Sequence, residues 1–426
     1  MRVLIIYRKI IARIIMRYYR SKKNTGKAIM FLPHSGMSKS DYIDLFNYKS
    51  DSALTFAHYL LVNDLCKDKE FVVFVPSKDD LESSYKKAEK LFPGRKIKFI
   101  TWDYCLINYN SRSYARFVKG FGKLVVSCSH IFSSDSFGFQ RYANNQIIVD
   151  LNYFSAPFKN DLLSSDSKYY MHYDRQGREY SKILLSSEVS IRLIMACMNL
   201  PREKYLDFGL CRNDNLLEEE SSNDIRKSIL SSVSYRASKI LLYIPTHRDY
   251  EKKLHNVART LFGYDMDMDK LDAVLKEEGI IIICKLHPVQ SKEVISMSLP
   301  ESVVIHKANH KYGLCELMKV SDAMIGDYSS GYFDYLLLDK PIIFNFYDVE
   351  RYKKERGFTF NPVESIVAGD VVKDSEGFIK ALKNLEINKT HYKEKRAFVR
   401  DLIFAYQDTH CCERVYDYFF DNKQFD

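Results

Sequence analysis

The sequence has no cysteine pattern of the kinds that bind metals or build disulfide frameworks. Its nine cysteines include no Cys-x-x-Cys pair and no zinc-ligand spacing with the eleven histidines. Several of them lie inside apolar runs such as residues 280–285. We therefore predict reduced thiols in a cytoplasmic protein and no protein-bound metal.

Residues 1–23 contain neither an acidic residue nor a long apolar run. Their longest charge-free run is Val3–Tyr7, which is too short to cross a bilayer, and no single apolar block marks a signal peptide. On a helix, basic residues of this segment fall on one side and apolar residues on the other. We predict a basic amphipathic helix on an anionic membrane surface; the alternative is a helix packed on the protein's own core.

No internal repeat or low-complexity linker interrupts the 426 residues, a length that allows two domains. The net charge of +9 suits an anionic partner, whether a nucleotide, a membrane surface or a phosphate polymer. Charge alone does not choose among these partners.

Apolar strand candidates alternate with longer amphipathic segments along most of the chain, which predicts parallel sheets built from β-α repeats. A polar patch, Ser164–Ser181, separates two sets of strands. We predict one Rossmann-like domain over residues 24–180, a second over 181–404 and a C-terminal helix over 405–426. The first set of predicted strands is 28–32, 71–75, 97–101, 124–128 and 146–151. The second set is 182–186, 204–208, 239–244, 279–285, 302–306, 323–326 and 341–346.

The most informative stretch is Val320–Phe360. It begins as a short apolar strand, breaks into the polar turn Asp327–Gly331, and continues as an apolar helix through Leu338 to a second strand. The turn of such a βαβ unit faces the ligand crevice, where helix N–H groups and two serine hydroxyls can donate to a phosphate. The alternative is that Asp327 or Ser329 only caps the helix.

The same stretch carries a series of short motifs in a fixed order. They are Asp327-Tyr328-Ser329-Ser330, Phe333-Asp334-Tyr335, Asp339-Lys340-Pro341-Ile342, Tyr347-Asp348 and Arg356-Gly357-Phe358. In this order the chain resembles the CDP-glycerol glycerophosphotransferase family, whose members prime and polymerise teichoic acids and related capsule polymers. The resemblance implies a GT-B-like fold: two Rossmann-like domains facing across a cleft. The acceptor would then bind the first domain and a CDP-linked donor the second, and the last helix would cross back to the first domain.

Three further motifs of the second half are similar to family motifs. They are Gly209–Asp214, Tyr243–Asp249 and Lys285–Pro288. An arginine fork such as that of Arg212 can hold a phosphate, although Arg212 could instead pair with Asp214 on the surface. The resemblance implies a donor site formed by Arg212, Thr246, Arg248, Lys285, Asp327, Ser329, Ser330 and Asp334.

The resemblance also implies that His287 acts on the donor phosphates. Lys285 and His287 project to the same side as they leave the preceding strand, because side chains alternate with period two. A cation or imidazolium beside the pyrophosphate would stabilise the charge that builds as CMP departs. The alternative for a lone loop histidine is a structural or solvated side chain.

The first half departs from the family at the loop Asn152–Lys159. Phe154, or Tyr153 one residue earlier, stands where the family has the histidine taken as the general base, and neither is a competent base near neutral pH. His34 is our leading replacement, with Asp150 and His130 behind it. The alternatives are transfer without a dedicated base, through positioning and charge stabilisation, and binding without catalysis.

The function that follows from the resemblance is transfer of glycerol phosphate, or a related polyol phosphate, to a hydroxyl of a lipid-linked or polymer acceptor. The expected partners are CDP-glycerol or CDP-ribitol, that acceptor and an anionic membrane surface at the inner face of the plasma membrane, with no nucleic acid. No cofactor is required by the sequence, and a Mg²⁺ ion on the donor pyrophosphate is compatible with it. The alternatives are a GT-B glycosyltransferase that uses a nucleotide sugar and a noncatalytic subunit of the polymer machinery.

Overall fold

The computed structural model describes most of the chain. The described residues are 18, 25–33, 45–75, 80–101, 123–134, 143, 145–152, 156, 180–198, 200–219, 222–246, 261–286, 298–306 and 312–421. They form two parallel β-sheets with helices between the strands. The predicted α/β architecture with two Rossmann-like sheets is confirmed.

The first sheet has seven strands in the order β3-β2-β1-β4-β5-β6-β7, and every pairing is parallel. Its interior strand β1 reads Ala-Ile-Met-Phe-Leu and is buried throughout, as expected of a parallel strand covered on both faces. The strands are β1 Ala28–Leu32, β2 Glu70–Val75, β3 Ile97–Thr101, β4 Cys128–Ser133, β5 Ile147–Asp150, β6 Lys182–Leu184 and β7 Tyr205–Leu206.

The second sheet has six strands in the order β10-β9-β8-β11-β12-β13, again all parallel. Strand β9 reads Ile-Ile-Ile-Ile-Cys and is fully buried, which explains why its cysteine is a core side chain. The strands are β8 Lys239–Ile244, β9 Ile280–Cys284, β10 Val303–Ile305, β11 Ala323–Gly326, β12 Ile342–Asn345 and β13 Asp370–Val372.

The structure gives the bounds of thirteen α-helices. The first half contributes α1 Ser52–Val62, α2 Asp80–Leu91 and α3 Glu188–Met198. The connection and second half contribute α4 Cys211–Leu217, α5 Asn223–Leu230, α6 Met268–Glu277, α7 Leu314–Val320, α8 Gly331–Leu336, α9 Val349–Glu355, α10 Ser375–Lys383, α11 Leu385–His391, α12 Lys393–Ile403 and α13 Cys411–Phe420.

Strands β6 and β7 belong to the first sheet, so the predicted change of domain at residue 181 is wrong for them. Strand β6 pairs with β5, with Val149 opposite Lys182 and Asp150 opposite Ile183, and β7 pairs with β6. The polar patch that we took as a boundary therefore precedes two strands of the same sheet. Local polarity marks a segment at the surface, but it does not say which sheet the next strand joins.

One further strand prediction was wrong, and one strand was missed. Residues 123–127 are helical and β4 begins only at Cys128. Leu124, Val125 and Cys128 are all buried, and a short buried apolar run has the same pattern on a helix as on a strand. Strand β13 was not predicted, because it is a three-residue edge strand that begins with Asp370 and leaves Val371 44% exposed.

The last helix, α13, packs on residues of the first sheet. Cys411, Cys412 and Val415 are buried in the same cluster as core residues of β1 and β4. The two cysteines are packing residues, as expected. Of the predicted helix over residues 1–23 only Tyr18 is described, so that helix stays a prediction.

Candidate functional site

Two polar turns meet at the carboxyl edge of the second sheet. Strands β8 and β11 are parallel neighbours with Ile244 opposite Gly326, so the residues that follow them lie side by side. Thr246 donates its backbone N–H to Asp327 at 2.9 and 3.0 Å and its hydroxyl to Asp327 Oδ1 at 2.6 Å. Asp327 is buried, and its carboxylate faces Thr246. The structure thus brings together two predicted donor residues and shows that one holds the other.

The turn after β11 is fixed by an aromatic side chain at its centre. Tyr328 is buried, stacks on Tyr352 with ring centroids 3.8 Å apart, and donates its hydroxyl to Asp348 at 3.0 Å. The sequence did not predict this contact of Asp348, although Asp348 belongs to the family motif Tyr347-Asp348. The turn therefore keeps its shape through packing on α9 and on the residues before it.

Ser329 and Ser330 are both half-buried at the start of α8. The N–H of Gly331 donates to Ser329 Oγ at 3.3 Å, whereas Ser330, the N-cap residue, makes no side-chain cap hydrogen bond. The alternative prediction was that Asp327 or Ser329 only caps the helix. Ser329 does accept one N–H at the start of α8, whereas Asp327 contacts Thr246 instead. Ser329 accepts in this bond, so the bond does not use its hydroxyl hydrogen.

Arg212 and Asp334, two predicted donor residues, form an ion pair with each other. Arg212 Nη2 lies 2.6 Å from Asp334 Oδ2, and the two side chains are 12% and 7% exposed. Asn213, which sequence reasoning missed, donates to the other carboxylate oxygen at 3.4 Å. No local sequence signal links residues so far apart along the chain.

The alternative pairing of Arg212 with Asp214 is wrong. Asp214 accepts the N–H groups of Cys411 and Cys412 at 3.1 and 2.8 Å, at the beginning of α13. Burial raises the pKa of Asp214 to about 6, and these backbone hydrogen bonds oppose the increase. Asp214 therefore joins the connection between the sheets to the last helix.

Lys285 lies one strand away from Thr246 at the same edge. It follows β9, is half-buried, and donates its backbone N–H to Tyr243 of β8 at 2.9 Å. Because β9 neighbours β8, Lys285 lies beside the turn that follows β8. Arg248 and His287 lie outside the described residues, and their roles stay predictions.

The Asp339-Lys340-Pro341 motif stabilises the fold of the second half. Asp339 pairs with the buried Arg396 at 2.8 Å. Lys340 donates to the carbonyls of Lys319 and Ser321, both at 2.7 Å, and burial lowers its pKa to about 8. These contacts satisfy carbonyl groups at the end of α7, which explains the motif without a role in binding.

In the half predicted to bind the acceptor, Asp150 ends β5 at the carboxyl edge of the first sheet. It is buried, and its Oδ1 accepts the N–H of Asn152 at 2.9 Å. Ser134, which follows β4 at this edge, bonds to Asp51 at 2.8 Å; sequence reasoning missed both, although Asp51 precedes an apolar helix as an N-cap does. His34, Tyr153 and Phe154 lie outside the described residues.

His130 is poorly placed to be the base. It is the third residue of β4, before the carboxyl edge, and its ring lies 4.6 Å from that of Phe420 in the last helix. Burial lowers its pKa to about 4, so it is neutral at pH 7. Its position within the strand, packed under α13, removes it from our candidates.

The described residues contain no group of three or more His, Cys, Asp and Glu side chains that could hold a metal ion. None of their helices is both long enough and apolar enough to cross a bilayer.

Sequence comparison connects this edge of the sheet to a known family. The family model described as CDP-Glycerol:Poly(glycerophosphate) glycerophosphotransferase matches residues 81–421, a range that contains both polar turns, Lys285 and the Arg212–Asp334 pair. The chain belongs to this family. The predicted family is therefore confirmed.

Curated relatives act in teichoic acid synthesis. The chain is 28% identical over 246 residues to the teichoic acid poly(glycerol phosphate) polymerase of Staphylococcus epidermidis. The matched region covers 57% of this chain and 32% of that protein. It is 31% identical over 208 residues to the teichoic acid glycerol-phosphate primase of Bacillus spizizenii, in a match that covers 49% of this chain and 50% of that protein. It is 27% identical over 239 residues to the teichoic acid ribitol-phosphate polymerase TarK of Staphylococcus aureus, in a match that covers 56% of this chain and 45% of that protein. The chain thus spans at most about half of the length of these relatives.

Solved structures agree on the fold. A structure of the wall teichoic acid polymerase TagF soaked with CDPG superposes with a TM-score of 0.70 at 21% identity, covering 93% of this chain and 89% of that chain. A UDP-GlcNAc 2-epimerase from Neisseria meningitidis superposes with a TM-score of 0.55 at 12% identity, covering 93% and 99%. At such identities the likeness shows a shared fold of two Rossmann-like domains.

Proposed function

We propose that this protein transfers a polyol phosphate from CDP-glycerol or CDP-ribitol to a hydroxyl of a lipid-linked or polymer acceptor, with release of CMP, in the synthesis of a teichoic-acid-like or capsule polymer. The observation that carries the proposal is the meeting of the Thr246 and Asp327–Ser330 turns at one sheet edge, inside the range that matches the family. Lys285 lies at the same edge on the next strand.

This edge has the groups that a pyrophosphate needs. Ser329 and Ser330 supply hydroxyl donors and Lys285 supplies a positive charge, and charge-assisted hydrogen bonds to phosphate are among the strongest in proteins. We propose that Thr246, Arg248 and His287 complete the donor site. The proposal includes no protein-bound metal, and a Mg²⁺ ion, where used, would bind oxygens of the donor pyrophosphate.

In the reaction the acceptor oxygen attacks the β-phosphorus. The bond from that phosphorus to the bridging oxygen breaks, and CMP leaves with the bridging oxygen and its negative charge. The donor-side cations stabilise this charge as it builds, which is the main contribution expected of the protein in phosphoryl transfer. We propose that the acceptor proton passes to His34, with Asp150 as the second candidate.

We further propose that the protein works in the cytoplasm on the inner face of the plasma membrane. The lipid-linked acceptor would lie at that surface, and the basic segment over residues 1–23 would attract anionic lipids. The formal net charge of +9 supports this location.

The experiment that tests the proposal is CMP release from CDP-glycerol and from CDP-ribitol, with and without an acceptor-containing membrane extract. Acceptor-dependent release of CMP with one donor is the expected result and identifies that donor. Donor binding without turnover would overturn the proposal in favour of a noncatalytic subunit. Release of a nucleoside diphosphate from a nucleotide sugar would overturn it in favour of a glycosyltransferase.

A further inference from the structure

Helix α4 lies between the two halves of the protein and contacts both. Asn215 donates to Thr55 Oγ1 at 2.8 Å and to the carbonyl of Lys49 at 3.2 Å, both in the first half. Lys319 of α7, in the second half, donates to the carbonyls of Asn215 and Glu218 at 3.0 and 2.8 Å. Helix α4 is therefore held in place by hydrogen bonds to both halves.

The ion pair between Arg212 and Asp334 joins α4 to the helix that follows the Asp327–Ser330 turn. Arg212 lies in the first turn of α4, and Asp334 lies in the first turn of α8, which begins directly after Ser330. With exposures of 12% and 7%, both charges are largely removed from water. A buried charge left without its partner is strongly unfavourable, so the pair holds the beginning of α8 against α4.

The same pairing argues against a direct phosphate contact by Arg212. The carboxylate of Asp334 accepts from Nη2 of the guanidinium at 2.6 Å, and Asn213 donates to its second oxygen at 3.4 Å. A phosphate at the same guanidinium would bring two anions together in a site of low dielectric, where like charges repel strongly. A phosphate on the other N–H groups of Arg212 would therefore be repelled by Asp334 and would weaken the ion pair.

We propose that Arg212 is a positioning residue that acts through Asp334 to fix the Asp327–Ser330 turn, and that it does not itself bind the donor phosphates. This inference rests on the proposed function of the turn as the donor site. It gives Asp334 the same role, since neither partner can hold the turn without the other. The two residues should then behave as one unit when they are replaced.

The test is a double-mutant cycle with Arg212→Ala, Asp334→Ala and the double variant, read out in two ways. The first is hydrogen exchange of peptides over residues 327–337 in the ligand-free protein. The second is kcat and KM for CDP-glycerol. The matched control is Arg226→Ala, because Arg226 pairs with Asp322 at 2.9 Å immediately before β11, at the opposite end of that strand from the turn.

We expect each single variant to raise exchange over residues 327–337 by about tenfold and to lower kcat/KM by about tenfold, with the double variant no worse than the single ones. The control should leave exchange in the turn unchanged. Arg212→Lys with Asp334→Asn repeats the comparison with side chains of similar size, should the alanine variants not fold.

A large loss of donor affinity in Arg212→Ala alone, with unchanged affinity in Asp334→Ala and unchanged exchange in the turn, would overturn the inference in favour of direct phosphate binding. Increased exchange over the whole second sheet, with kcat and KM per folded molecule unchanged, would overturn it in favour of a purely structural pair. If the wild-type protein binds neither CDP-glycerol nor CDP-ribitol and releases CMP from neither, the proposed function fails, and the exchange readout still decides whether the pair positions the turn.

Discussion

Both carboxylate oxygens of Asp327 accept hydrogen bonds from Thr246, at distances of 2.6 to 3.0 Å. The two residues end neighbouring strands of the second sheet and are 81 positions apart in the sequence. One buried carboxylate therefore fixes the geometry between two turns that we assign to the donor site. An aspartate that faced the phosphates would repel the donor, and the carboxylate of Asp327 faces Thr246 instead.

Asp327→Asn should lower kcat/KM for CDP-glycerol by at least ~10-fold, because an amide has one acceptor oxygen where the carboxylate has two. Thr246→Ser, which keeps the hydroxyl, should stay close to wild type, whereas Thr246→Val should lose activity as Asp327→Asn does. Steady-state kinetics of CMP release measure the effect. Asp224→Asn, an exposed change in the same half, is the control. Full activity of Asp327→Asn would contradict the role of this contact.

Ser329→Ala and His287→Ala should each lower kcat by at least ~100-fold if these residues stabilise the charge that develops on the leaving CMP. Single-turnover measurements with saturating donor separate this effect from binding. Ser232→Ala, an exposed serine that donates to the carbonyl of Ile229, should leave the rate unchanged. Near-normal rates in both test variants would refute the donor-site assignment.

His34→Ala should lower the rate of acceptor-dependent CMP release by at least ~100-fold while leaving the dissociation constant for CDP-glycerol unchanged, since a general base acts on the acceptor and not on the donor. The pH profile of kcat should lose its acidic limb in this variant. Asp150→Asn is the parallel experiment for the second candidate. Retention of the acidic limb in His34→Ala together with its loss in Asp150→Asn would transfer the role to Asp150.

Asp214 should make stability depend on pH. Its pKa rises from 3.8 in the unfolded chain to about 6 in the folded protein, so the folded state binds more protons between these values. The free energy of unfolding should therefore decrease by up to ~3 kcal/mol as pH rises from about 4 to about 6, relative to Asp214→Asn. Urea unfolding of both proteins at pH 4, 5, 6 and 7 measures this difference. A difference that does not change with pH would contradict the assigned pKa.

Deletion of residues 2–23 should release the protein from vesicles that contain anionic lipids and leave transfer to a soluble acceptor analogue intact, because the basic face of the predicted helix supplies the attraction. Sedimentation with vesicles measures binding, and neutral vesicles are the control. Retained binding to anionic vesicles would show that another surface makes the contact.

Much of the fold could be predicted because parallel strands buried on both faces are apolar along their whole length. The predicted bounds of 28–32, 97–101, 239–244 and 323–326 agree with the strands observed. The predictions failed where this signal is weak: at the helical residues 123–127, whose apolar run is as short as a strand, and at the edge strand Asp370–Val372.

The residues of the candidate site could be predicted from the sequence, but most of the contacts between them could not. The turn after a parallel strand must lie at the carboxyl edge, so Thr246, Lys285 and Ser329 could be assigned to one place from their sequence positions alone. Which of these groups contact each other could not be predicted. The alternative that paired Arg212 with Asp214, two residues apart, shows how a local pairing competes with a distant one.

The sequence by itself determined the α/β class, the family and the residues at the strand ends, because apolar periodicity and short motifs are properties of local chain segments. Only the tertiary structure decided that strands Lys182–Leu184 and Tyr205–Leu206 extend the first sheet, that Asp327 holds Thr246, and that Arg212 is paired with Asp334 across 122 positions. These relationships depend on which distant segments pack together. Burial then selects the partner of each charge, since a charge removed from water must find an opposite charge or hydrogen-bond donors close by.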